Sequence, residues 1–93
     1  MTSKNDTLLT DIINAMEKCM AHIRSYYECD YSDVVKLREI EYRLGVWYGY
    51  GKVLEKIDKD KYWAIHEKYW DDMKKYERYC RKVVTEIRES KGE

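Results

Sequence analysis

From Tyr62 to Ile87 an apolar, aromatic or imidazole side chain returns at alternating steps of four and three: Tyr62, His66, Tyr69, Met73, Tyr76, Cys80, Val83, Ile87. That repeat matches the turn of an α-helix, so all eight positions fall on one face. Trp63, Trp70 and Val84 lie beside the stripe at multiples of seven and broaden it. The spacing predicts one long helix over about 60–89, roughly 45 Å in length at 1.5 Å per residue. A seam of that length must be covered by other helices.

Two further segments supply them. Leu9, Ile12, Ile13, Met16, Cys19, Met20, Ile23 and Tyr27 recur at helical steps, with Asn5, Asp6 and Thr7 offering capping oxygens at the start. "ECDYSD" (28–33) breaks the pattern, and Asp30 or Ser32 can cap the next helix. Leu37, Ile40, Leu44, Trp47, Tyr50, Leu54 and Ile57 then form a second face, widened by Tyr42, Val46 and Val53, so the middle of this helix is expected to be covered on most sides. "DKDK" (58–61) is the second break, with Asp58 or Asp60 as its cap. The chain contains no proline, hence no obligatory helix breaker. The expected fold is all-α: a single domain over 1–93, built as a small up-down-up three-helix bundle with helices at about 6–28, 32–57 and 60–89. The first helix reaches only about 33 Å, so the long C-terminal helix should overhang its neighbours around Val83, Val84 and Ile87.

"LGVWYGYGKVLEKI" (44–57) puts three of the four glycines, Gly45, Gly49 and Gly51, within seven residues. A phosphate loop of Walker type requires G-x-x-x-x-G-K-[ST]; here Val53 follows Lys52, and Val46 stands where the first glycine belongs. A dinucleotide fingerprint fails at Leu54. A hairpin would reset the apolar phase, yet the phase runs through unbroken. The stretch is therefore read as helix, thinned at Gly45 and Gly49, which share a face. Each helical glycine costs about 0.5–1 kcal/mol against alanine, so close packing inside the protein or by a partner is expected there.

Chemistry-bearing patterns fall short of completion. "HEKYW" (66–70) has Trp70 where a zinc protease places its second histidine. Cys19 and His22 share helical spacing, but a structural zinc site needs four ligands. Neighbouring carboxylates such as Asp71 and Asp72 diverge by about 100° around a helix. With two histidines and no cofactor motif, the chain is expected not to be an enzyme, with no metal or cofactor.

Eighteen basic residues balance eighteen acidic ones. No third of the chain carries the strong excess of a polyanion binder or of a DNA mimic. Three cysteines at wide spacing argue against a disulfide framework. The first nineteen residues lack the apolar run of a signal peptide, and no stretch is long enough to span a membrane, so the expected location is the cytoplasm.

Ten tyrosines and three tryptophans, with no phenylalanine, are more large rings than so small a core encloses. Tyr31, Tyr48, Tyr79 and Trp70 are expected at the surface, where such rings dominate binding energy. Lys74, Lys75, Arg78, Arg81 and Lys82 stand against Glu77 alone, with Tyr79 among them. The sequence thus points to a non-enzymatic protein-protein interaction module, an inhibitor or adaptor docking on a larger protein. A phage or mobile-element protein of anti-CRISPR type, blocking a nuclease or other defence effector, is one concrete form. The expected partner-binding residues are Gly45, Tyr48, Gly49, Trp70, Lys74, Lys75, Arg78, Tyr79, Arg81 and Lys82. A homodimer through the 62–87 stripe is a separate expectation, and nucleic-acid binding by 74–82 is the alternative.

Overall fold

The structure, a computed structural model, describes residues 4–91. They form α1 (Lys4–Glu28), α2 (Asp33–Ile57), α3 (Lys59–Lys68) and α4 (Trp70–Lys91), and the described residues include no strand. The molecule is elongated, 61 × 22 × 18 Å.

α1 begins two residues before the expected boundary, so Asp6 sits in its first turn rather than ahead of it, and the Asn5 side chain lies outside the described residues. Ser32 caps α2, its hydroxyl accepting from the Val35 N–H at 3.4 Å. The second break shrinks to one residue. Asp58 ends α2 by donating its N–H to the Leu54 carbonyl at 2.8 Å, and opens α3 by accepting the Lys61 N–H on Oδ1 at 3.1 Å. A carboxylate at that point satisfies free N–H groups and favours the positive end of the helix dipole.

The long C-terminal helix is not continuous. Tyr69 leaves helical geometry at φ −109°, ψ 11°, separating α3 from α4. Neither proline nor glycine marks the break. Tyr69 still donates its N–H to Ile65 and accepts from Met73 at 2.8 Å, so the phase of the stripe survives. Its hydroxyl reaches across to the Glu17 carboxylate of α1, beside the Lys68–Glu17 ion pair at 3.1 Å. Its ring stands edge-on to Trp47 at 5.5 Å. The interruption thus falls where one side chain ties α1, α2 and the C-terminal segment together.

α2 is the central element, packed against α1 along one flank and against α3 and α4 along another. Its buried residues are Ile40, Leu44, Trp47, Gly51 and Leu54, steps of four and three with Gly51 in place of Tyr50. Tyr42, Tyr50, Val53 and Ile57 are exposed, so the middle of α2 is not covered on most sides. Trp47 is fully enclosed; truncating such a ring costs about 3–5 kcal/mol.

The heptad stripe of α3 and α4 turns inward. Met73, Tyr76, Cys80 and Val83 are buried and Ile87 is half-buried, so these side chains are occupied by the chain's own core and are not free to form a homodimer seam. The end of α1 and the start of α2 both meet Tyr79, its ring 5.4 Å from that of Tyr27 and its hydroxyl donating to Asp33 at 2.6 Å. Val83 is 2% exposed, so the expected overhang does not begin there, and Leu37 of α2 lies beside Val84 and Ile87.

Candidate partner-docking groove

α4 and α2 leave an open groove between them on a side that α1 does not line. From α2, Glu41, Leu44, Gly45 and Tyr48 line it, one helical face at steps of three and four. From α4, Lys74, Glu77, Cys80, Arg81, Val84, Thr85 and Arg88 form the opposite wall. The space is about 920 Å³, and no α1 residue borders it. A second hollow of about 480 Å³, between Leu37, Val84, Ile87, Arg88 and Lys91, continues it. Val84 and Arg88 belong to both.

Gly45 opens the α2 wall. A Cβ built there meets nothing within 4 Å, and the same holds at Gly49. Of the two kinds of close packing expected at Gly45 and Gly49, packing inside the protein is therefore not found among the described residues. The glycine that serves internal packing is Gly51, whose Cβ position lies 3.5 Å from the Tyr62 ring and 3.6 Å from the Met16 methyl.

Tyr48 donates its hydroxyl to the Glu77 carboxylate, bridging the two walls. Burial first, and then that bond, push its hydroxyl well above the usual tyrosine range, so it stays a donor. Lys74 pairs with Glu77 at 3.5 Å and lies 4.6 Å over the Trp70 ring. Trp70 is 48% exposed and is outside the groove lining, beside it only through Lys74. Arg81 and Arg88 form no ion pair with another described residue. Their charges are open to a ligand.

The basic stretch 74–82 is divided among faces. Lys74 and Arg81 border the groove, whereas Lys75 lies over Tyr27 at 4.9 Å and Tyr76 at 5.3 Å, on the side of α1. Arg78 and Lys82 are exposed and line neither hollow. Tyr79 is half-buried, its hydroxyl donating to Asp33 at 2.6 Å, which braces the start of α2 against α4. Of the ten expected residues, the structure gathers Gly45, Tyr48, Lys74 and Arg81 into one groove, with Trp70 next to it under Lys74. Gly49 is open but outside the lining. Sequence reasoning missed Arg88, although Lys74, Arg81 and Arg88 are seven apart and therefore lie along one line of the helix.

Elsewhere the reactive groups are muted. Cys19 and Cys80 are buried; burial pushes both thiols up, Cys80 to about 11. Cys19 faces the core while His22 is exposed, so the two do not converge. His66 stands among Tyr62, Trp63, Trp47 and Trp70, with ring centroids 4.7–6.3 Å away, and burial lowers its pKa. Among the described residues, no three histidine, cysteine or acidic side chains come together to hold a metal, and no helix is long and apolar enough to cross a membrane. No protein-family model matches this chain, and neither a curated protein nor a solved structure shows significant similarity to it.

Proposed function

We propose that the chain is an up-down-up helical bundle that acts by binding rather than catalysis, docking on a larger protein through the α2–α4 groove and the adjacent Trp70 as an inhibitor or adaptor. One observation carries the reading. Gly45 keeps a costly helical glycine at a place where no atom of the described residues lies within 4 Å of an added Cβ. The space it leaves is bordered by Arg81 and Arg88, which form no ion pair among the described residues, and the exposed Trp70 stands next to it under Lys74; arginine and tryptophan dominate binding energy at protein interfaces. The buried, weakly acidic thiols and the imidazole packed among rings support binding over nucleophilic chemistry. Blockade of a defence nuclease in particular draws on no residue of the groove and is not part of the proposal.

Affinity capture from the producing cells tests it, with the natural chain and Gly45→Leu compared by quantitative mass spectrometry. A partner retained by the first and lost by the second is expected. Identical captures by the two proteins would remove the groove from the interface.

A further inference from the structure

Resting on that docking reading, we propose that the groove takes one amphipathic α-helix of a partner protein, apolar toward the groove and carrying carboxylates at seven-residue spacing along the side that meets α4. The dimensions fit a helix. From Lys74 to Lys91 the α4 wall runs about 25 Å at 1.5 Å per residue, close to five turns. Leu37, Leu44, Val84 and Ile87 give it apolar ground, and Gly45 leaves a hole in the α2 wall for one large side chain. A partner helix entering such a groove does so through anchors at i, i+3, i+4 and i+7.

The charges decide its sign. Lys74, Arg81 and Arg88 follow one another at seven residues, about 10.5 Å apart along α4. That is the repeat at which flanking charges of paired helices select their partners. Lys74 is already engaged by Glu77, so Arg81 and Arg88 are the cations left to a ligand, with Lys91 beyond them. Glu41 stands alone on the opposite wall and favours a single cation on the far flank of the same helix.

Two other occupants fit less well. Phosphates of a nucleic-acid duplex repeat about every 3.4 Å along each strand, three times more densely than these cations, and single strands call for stacking rings. Tyr48 is the one aromatic side chain lining the groove, and its hydroxyl is held by Glu77. A second copy of the chain would need its own line of carboxylates. Asp60 and Glu67 supply two at that spacing, but on the ten-residue α3, about 15 Å long at 1.5 Å per residue against about 25 Å of α4 wall, and Lys74 follows them in the line.

The test uses a fluorescein-labelled 21-residue synthetic helix, with leucine at i, i+3, i+4 and i+7 and glutamate on its flanks. Its controls are a twin with lysine for glutamate and a scramble of the same composition. By fluorescence anisotropy the acidic helix is expected to bind at least about tenfold tighter than either control, and to weaken as salt is raised. Arg81→Glu with Arg88→Glu, both at exposed positions, should turn the preference toward the lysine twin. Equal binding of the twins, or an unchanged preference in the double variant, overturns the acidic helix. Displacement of the peptide by a single-stranded oligonucleotide, or by a dimer seen in sedimentation, overturns it in favour of nucleic acid or of a second copy. Partner capture that depends on Gly45 without any preference among the peptides would sink the helix and leave the docking reading standing.

Discussion

Replacing Gly45 and Gly49 together by alanine should make the protein more stable, which is the reverse of what glycines placed for internal packing would do. Both lie inside α2, where glycine is less favourable than alanine by about 0.5–1 kcal/mol because it loses more backbone freedom on folding. A Cβ at either position has nothing within 4 Å to meet, so no contact term opposes the gain. The pair should add about 1–2 kcal/mol. With an unfolding entropy near 2.1 cal/mol/K per residue, a chain of 93 residues gains about 5 °C per kcal/mol, so Tm should rise by about 5–10 °C. Gly51 provides the contrast within one helix. Alanine fits there, since 3.5 Å from Tyr62 is ordinary contact, but Gly51→Leu drives a branched side chain into Tyr62 and Met16 and should cost about 1–3 kcal/mol. Gly45→Leu should leave Tm at or above that of the natural chain. Thermal unfolding followed by circular dichroism reads all four proteins. A lower Tm for the double alanine variant would mean that the open face is occupied within the folded chain, and both the groove and its occupant would fall with it.

Acid should weaken the fold through His66. Burial, more than nearby Lys74, lowers its pKa against the opposing pull of Glu55 and Glu77. The unfolded chain therefore binds the proton first as pH falls below about 6.5, and stability drops from there toward the folded-state value. Urea midpoints at pH 7.5 and 5.5 should show this, with a smaller difference in His66→Phe; an unchanged difference would exonerate the imidazole. The thiols should divide in native alkylation at pH 8. Cys29 is half-buried and should react first, while Cys19 and Cys80 are buried. At about 11 rather than 9.0, Cys80 carries about a hundredfold less thiolate. Peptide mass spectrometry showing Cys80 labelled as fast as Cys29 would contradict its place in the core.

Much of the architecture was legible because helical periodicity survives tertiary packing. The face read for α1 and the α4 part of the 62–87 stripe enter the core, whereas α3 buries Ile65, off the stripe, and leaves Trp63 exposed; Ser32 and Asp58 cap as their side chains allow. The break at Tyr69 was not legible, since a residue that leaves helical geometry while keeping its place in the stripe alters no spacing. α2 shows a different limit. Tyr50 and Gly51 both satisfy steps of three and four, and hydrophobicity favours the tyrosine. Space favours the glycine, because the Met16 methyl and the Tyr62 ring already fill the site, and space is a property of the neighbours.

The binding surface divides along the same line. Adjacent helical residues point about 100° apart, so five basic residues within nine positions cannot share a face, however dense they look in sequence. Lys75 turns to Tyr27, Lys74 and Arg81 turn to α2, and only the seven-residue series through Arg88 marks the wall. That series belongs to one helix and is readable from it. The groove belongs to two helices at once, so neither segment discloses it alone. What keeps it open is Gly45, whose missing side chain is detectable in the sequence but whose meaning depends on which way α2 is rotated. The buried face of Ile40, Leu44, Trp47, Gly51 and Leu54 sets that rotation, and Tyr48, beside the opening, bonds Glu77 across the seam in the orientation that results.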